Sequence, residues 1–359
     1  MNKHISNFIY ELPQWLKEHD DQQDIIFGSC LTLNRNIAGF PFSHKASEDQ
    51  QEKIIDKFLS SSLTEDFNFI ELASLSEVEK KILLERHTIS KKALLRESAA
   101  AFISKDESFS ILVNEEDHLR TQHFTPGLKL KESWQEVNKL DDKLSQEVNW
   151  AYSNDWGYYT STPALIGTGL KTFTMLNLSA LEITQQLKTV INAANKMGFM
   201  LKGWAKEGSD ACGLNFILSS NHSLGLNEDE LIEKATKLAR EIAQQEQDAR
   251  TYLLNKEPEK LLQLFTSSLM ALKSSYSLTQ AETSTLLSFM RIGALSGFFE
   301  RYSSHDINRL MISTQDGHFE TLFDEYPLPE ELLTLSNKAY SMPEDLSLFR
   351  TAYLKNHFS

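Results

Sequence analysis

Residues Phe109 to Phe124 constrain the fold more than any other part of the chain. Phe109, Ile111 and Val113 alternate with their neighbours, the two-residue period of a strand with one buried face. Strand character resumes at Leu119–Phe124 after nothing longer than an acidic turn, and so short a connection suits an antiparallel pair. The turn carries three consecutive acids, Glu115, Glu116 and Asp117, to a strand end, and His118 and Arg120 follow two and four residues after Glu116. A carboxylate beside an arginine at such a junction suits chemistry on one cationic and one anionic substrate.

The rest of the chain extends this pattern. Strand signals occur at 24–33, 67–71, 199–203 and 214–220. Ser47 with Gln50 and Ser76 with Glu79 read as capping boxes, the first opening a helix to about Leu59 with Ile54, Ile55, Phe58 and Leu59 inward. Trp134, Val137, Leu140, Leu144, Val148 and Ala151 recur every three or four residues and predict a helix over about 131–151. Another runs from Ser179 to a C-cap at Gly198, and a long one from Asn227 to about Asn255. From Glu257 onward the periodicity is helical, with breaks expected at Ser277, Gly317 and Pro327–Pro329. The expected fold class is α+β: a largely antiparallel sheet flanked by helices over residues 1–255, then a small all-α domain over 256–359.

Charge and composition exclude some partners. The chain has 359 residues and a net charge of −14, the wrong sign for a nucleic-acid binder that relies on phosphate neutralisation. Its two cysteines, Cys30 and Cys212, give no disulfide framework and read as small buried residues, and no His/Cys cluster has zinc spacing. No secretory leader or membrane-spanning apolar run is evident, so a cytoplasmic protein without membrane contact is expected.

Two later segments bear on the chemistry: G-T-G-L-K-T (Gly167 to Thr172) and K-G-W-A-K-E-G-S-D (Lys202 to Asp210). The first is not a phosphate-binding loop of the Walker type, because Leu170 stands where that spacing requires glycine. Phosphoryl transfer to a guanidinium has a defined minimum kit. The guanidinium, with a pKa of ~12.5–13.8, has no free lone pair at neutral pH, so carboxylates must grip its fork and one must take a proton. The phosphoryl group needs cations and magnesium around it. Glu116 and Glu207 with Arg120, Lys171 and Lys202 supply such a kit.

The segments N-E-E-D-H-L-R (Asn114–Arg120), D-D-K-L (Asp141–Leu144), G-Y-Y-T-S-T-P (Gly157–Pro163), G-T-G-L-K (Gly167–Lys171) and E-G-S-D-A-C-G (Glu207–Gly213) occur in an order that resembles the ATP:guanido phosphotransferases. L-L-E-R-H-T-I-S (Leu83–Ser90) and the extra C-terminal part resemble the bacterial protein-arginine kinase branch. The resemblance covers about residues 8–255 well and the remainder loosely. It implies ATP and Mg2+, with Glu116 as catalytic carboxylate and Glu207 as its partner on the guanidinium. It puts Arg120, Lys171 and Lys202 on the ATP phosphates and His87 near the adenine or ribose. Lys171, Thr172, Phe173, Thr174 and Met175 would form one side of the nucleotide site. Lys202, Gly203, Trp204, Ala205 and Lys206 would form another, and Gly28, Ser29, Cys30, Leu31 and Thr32 the remaining phosphate side. Ser161 stands at the family's substrate-side cysteine.

Departures from the family pattern are equally specific. Cys30 and Thr32 replace two arginines, Lys171 and Lys202 stand for arginine, and Lys206 replaces a glycine beside Glu207. The R-D-x-x-R-A phosphoarginine motif is missing; Asp306–Arg309 and Arg350 are scattered candidates. The implied partner is a protein substrate presenting arginine. The alternative is a degenerate pseudokinase acting as a regulatory or scaffolding partner, and the resemblance also implies a homodimer through the helical domain. Residue by residue, simpler roles compete: a surface or packing role for His118, a helix-ending cation for His87, and core positions for Trp134, Phe173 and Phe216.

Overall fold

The computed structural model describes residues 3–17, 25–204, 213–223, 225–298, 301–325 and 344–358. The main sheet has eight strands: β1 (Ile26–Arg35), β2 (Phe67–Glu71), β3 (Ala100–Ser104), β4 (Phe109–Val113), β5 (Leu119–Pro126), β8 (Leu170–Asn177), β9 (Phe199–Gly203) and β10 (Asn215–Ser220). Their order is β2-β3-β4-β5-β1-β8-β10-β9, and β6 (Tyr152–Ser153) with β7 (Gly157–Tyr158) forms a separate hairpin. β4 and β5 pair antiparallel across the acidic turn, as their spacing predicts, with Val113 opposite Leu119. β1 then lies antiparallel on the other edge of β5, with Asn34 opposite Arg120 and Thr32 opposite Gln122.

Alternation along the strands makes the two faces chemically different. Ala100, Phe102, Ile111, Val113 and Leu119 pack with Ile54, Phe58, Leu144 and Val148 into one apolar core beneath the Glu48–Leu59 and Leu130–Ser145 helices. The other face carries Ser110, Arg120, Gln122, Cys30, Thr32 and Asn34 across β4, β5 and β1. Polar groups there face away from the helices that seal the core.

Both capping boxes form, Ser47 with Gln50 and Ser76 with Glu79, because each side chain satisfies a backbone N–H that the helix leaves open. Three predicted boundaries move. The 131–151 helix ends at Ser145, and Val148 reaches the core from outside it, so the apolar period outlasts the helix. The Ser179–Gly198 helix is two, Ser179–Ile183 and Leu187–Lys196, parted where Gln185 adopts φ +60°. The break expected at Gly317 falls at Thr314–Gln315, since Asp316–Glu325 is helical. Pro327–Pro329 lies outside the described residues.

The chain divides into two compact units: Met1–Met175, Ala193–Leu201 and Leu218–Glu241 form one, and Leu176–Asn192, Lys202–Ile217 and Ile242–Ser359 the other. The Glu228–Lys256 helix passes from the first into the second, so these units and the change of composition near 255 divide the chain differently. In the second unit, Phe265, Leu272, Leu287, Met290, Ile307, Leu310, Leu354 and Phe358 share a core. A Cβ on Gly293 would come within 1.8 Å of the Phe265 ring, so that helix pair requires glycine there. Among the described residues, no helix is long and apolar enough to cross a membrane.

Two histidines of the first unit make its stability pH-dependent. His123 hydrogen-bonds Ser133 (2.9 Å) and packs on Phe109, while His87 packs edge-on against Trp15. Burial pushes each down to about 4. At mildly acid pH the unfolded chain therefore binds protons that the folded chain refuses. Stability should be full above about pH 6.5 and fall as pH drops towards 4, by on the order of 2 kcal/mol per histidine at about pH 4.5. Urea unfolding at the two pH values tests this; His123→Gln should flatten the dependence, and an unchanged slope would contradict the assignment.

Candidate active site

The turn between β4 and β5 begins with Asn114 in the left-handed region (φ +59°), its amide donating to the carbonyls of Gln51 (2.9 Å) and Ser98 (3.2 Å). With the turn so pinned, its three acids meet different surroundings. Glu115 is 2% exposed, and Arg120 Nη1 donates to both its oxygens, at 2.7 and 2.8 Å. Ser90 also donates to Glu115. Burial opposes the charge on Glu115, but Arg120 and Ser90 outweigh it and hold the carboxyl below the usual range. Asp117, 3% exposed, accepts from the Asn36 amide and the Ser161 N–H, each at 2.6 Å. Burial raises its pKa against those two donors. Glu116 alone of the three points outward: its side chain is 42% exposed, with Lys92 Nζ 2.7 Å from Oε1.

Arg120 is preorganised from both sides, since Nη2 donates to Gln122 Oε1 (2.5 Å) while Glu115 holds Nη1. Gln122 in turn donates to the Thr88 carbonyl (3.1 Å), which also accepts from Ser110. The His87–Ser90 segment is thereby laid against the polar face of the sheet. The cationic reading of His87 fails, because burial keeps its imidazole neutral at physiological pH. His118 is a packing residue: Ile37 N–H donates to Nδ1 (2.9 Å), so Nε2 carries the hydrogen it shares with the Pro41 carbonyl (2.7 Å).

Alternation splits the Gly28–Thr32 stretch. Gly28, Cys30 and Thr32 share the face of Arg120 and Gln122, whereas Leu31 is core and Ser29 bonds Thr125 (2.9 Å) and the Gly127 carbonyl (2.8 Å). Burial pushes the Cys30 thiol up to about 12 despite the pull of Arg120, so it stays neutral. The Thr32 hydroxyl donates to the Lys171 carbonyl (3.5 Å), and Asn34 N–H to the Gly169 carbonyl (2.9 Å), which sets Lys171 beside Thr32. The Lys171 ammonium lies 5.1 Å from the centroid of the Phe173 ring, so Phe173 supports a cation and is only partly buried. Thr172, Thr174 and Met175 are buried.

Arg120, Lys171, Cys30, Thr32 and the acidic turn thus come together in the first unit, with Ser161 tied to the turn through Asp117. Lys202, Gly203 and Trp204 belong to the second unit; Lys202 is exposed and Trp204 N–H donates to the Asn215 carbonyl (2.7 Å). Ala205, Lys206, Glu207 and Cys212 lie outside the described residues. The D-D-K-L segment is an anchor: Asp141 accepts from Arg35 at 2.7 and 3.0 Å, and the Arg35 guanidinium sits 3.4 Å from the Tyr158 ring centroid. Arg350 is buried on the carbonyls of Thr314 (2.7 Å) and Leu278 (3.2 Å) and on Asp316 (2.6 Å), while Asp306 caps a helix with Ser303. Sequence reasoning missed Ser90, Lys92, Gln122 and Asn36 as members of the site. Of these, Ser90 alone carries a local signal, as the N-cap of Lys91–Leu94.

Comparison with known proteins gives the family and the fold. The family description "ATP:guanido phosphotransferase, C-terminal catalytic domain" matches residues 49–249, and "Protein-arginine kinase McsB C-terminal domain" matches 258–334. A protein-arginine kinase of Brevibacillus brevis is 34% identical over 85% of this chain and 88% of its own length. The protein of the same name from Desulforamulus reducens is 37% identical over 78% of this chain and 81% of its own. Among solved structures, lombricine kinase superposes with a TM-score of 0.55 at 16% identity, covering 67% of this chain and 70% of that one. The duplicated taurocyamine kinase of Schistosoma mansoni gives 0.56 at 19% identity over 72% of this chain, which spans 40% of that longer protein. These two share the fold. The chain belongs to the ATP:guanido phosphotransferase family.

Burial predicts opposite outcomes for neighbouring acids. Glu115→Ala leaves the Arg120 guanidinium without its carboxylate and should cost about 3–5 kcal/mol in urea unfolding. Glu116→Ala breaks an exposed pair and should cost about 0–1 kcal/mol. Equal losses would show that the two acids are not divided in this way.

Proposed function

We propose that the protein transfers the γ-phosphoryl group of Mg-ATP to the guanidinium of arginine side chains in other proteins. The observation that carries this reading is the turn itself. It offers one outward carboxylate, Glu116, next to an arginine held rigid by Glu115 and Gln122. Glu116 would grip the guanidinium and take its proton as the nitrogen attacks, and the family resemblance gives Glu207, outside the described residues, as the second carboxylate. Arg120 and Lys171 share a polar sheet face suited to phosphate oxygens. Magnesium would arrive on the triphosphate and offset its charge. Similarity to named protein-arginine kinases supports a protein substrate, and we place catalysis in residues 1–255 with 256–359 as a helical appendage.

A second reading rests on Cys30 and Thr32. Both residues are 2% exposed on the face of β1 shared with Arg120, one a neutral thiol and the other a hydroxyl. Losing one preorganised donor costs ~10²–10³ in rate, so two absent cations fit a pseudokinase that binds a partner without turnover.

The readings differ in whether the phosphoryl group is transferred. Millimolar Mg-ATP should raise the melting temperature under either kinase or nucleotide-sensing behaviour. Transfer of labelled γ-phosphate to an acid-labile protein product, abolished in Glu116→Gln, is expected of the kinase; a thermal shift without transfer would establish the pseudokinase instead.

A further inference from the structure

Glu116 already holds a cation of its own chain. Lys92 Nζ lies 2.7 Å from Oε1, with the lysine side chain 53% exposed and the glutamate 42%. Lys92 comes from the one-turn Lys91–Leu94 helix, whose N-cap Ser90 accepts from Ala93 N–H (3.1 Å) and donates to Glu115. The backbone beneath Lys92 is therefore fastened to the buried acid and would stay beside the turn if the Lys92–Glu116 pair opened. Neither neighbouring acid is available to a ligand: Arg120 and Ser90 occupy Glu115, and Asn36 and Ser161 occupy Asp117. A guanidinium that grips both oxygens of Glu116 displaces Lys92 from Oε1.

We infer that Lys92 is an internal competitor for the substrate guanidinium, filling the Glu116 carboxylate until arginine displaces it. The inference rests on Glu116 being the guanidinium-binding carboxylate of the proposed reaction. Its consequence is a lowered apparent affinity for any cation that must displace it. A planar guanidinium offers two parallel donors to a carboxylate, so it gains over a single-point ammonium. A lysine side chain on a substrate protein offers the same group that Lys92 already provides, without the advantage of being tethered. Displacing Lys92 costs either ligand the same, so the competitor lowers the affinity for both and leaves the preference for arginine to the guanidinium fork itself. Because the pair is exposed, the competition is mild, corresponding to about a 1.5- to 5-fold change in affinity.

The test is calorimetric titration of Nα-acetyl-arginine amide, with Nα-acetyl-lysine amide as the contrast, into the full chain with Mg-ADP. Lys92→Met should tighten arginine binding by about 1.5- to 5-fold, more at low salt than at high, and tighten lysine binding by the same factor, leaving the preference between them unchanged. Lys92→Arg should bind arginine no more tightly than the wild type. In a Glu116→Gln background, Lys92→Met should have no effect, which isolates the pair from any general change in surface charge. If the wild type binds arginine amide and Glu116→Gln weakens it, while Lys92→Met is neutral or weakening, the competitor is refuted and the proposed function stands. If neither the wild type nor Lys92→Met binds arginine amide, the guanidinium site and the competitor fall together.

Discussion

The pair of buried Glu115 with partly buried Arg120 is the constraint on which the site depends. Removing a carboxylate and a guanidinium from water is costly unless each satisfies the other, and here one guanidinium nitrogen meets both carboxylate oxygens. That pairing fixes the arginine fork and commits Glu115 to structure. Asp117 is committed just as firmly to Asn36 and Ser161. The turn is thereby held on both sides, and the acid between them is pushed out to solvent. A carboxylate that must exchange partners during a reaction can be exposed when its neighbours carry the structural load.

The polar face of the sheet follows from the same separation of roles. Apolar side chains of β3, β4 and β5 turn to the helices, leaving Ser110, Gln122, Arg120, Thr32 and Asn34 on the face opposite. Lys171 joins them from β8, above Phe173. This surface keeps cations at Arg120 and Lys171, yet β1 contributes a thiol and a hydroxyl where the family pattern carries arginines. The neutral state of Cys30 is what burial dictates for a thiol with no base beside it. The catalytic question is therefore one of cation number on this face.

The helical part spends its charged groups differently. Arg350 satisfies two carbonyls and Asp316 at once, and Asp306 closes a capping box. Both are used to terminate or join helices, where open backbone groups would otherwise be left unpaired. Neither presents a free guanidinium or carboxylate for recognition of a phosphorylated residue, in keeping with the missing family motif.

Local chemistry determined much of this protein. The hairpin around the acidic turn, both capping boxes and strands 67–71 and 199–203 follow from alternation and capping patterns that act within a few residues. Segment order and residue types were enough to place the chain in its family. Sequence could not tell that Gln185 would break a helix, or that the 131–151 period would outlast its helix, because Val148 is held in place by distant core partners. Nor could it sort Glu115, Glu116 and Asp117, three adjacent acids with the same local signal. Arg120, Ser90, Asn36 and Ser161 decide which are buried and which is free to exchange, and they reach the turn from four places in the chain. Burial and pairing of charge are set by what packs nearby in space, and that is a property of the tertiary structure alone.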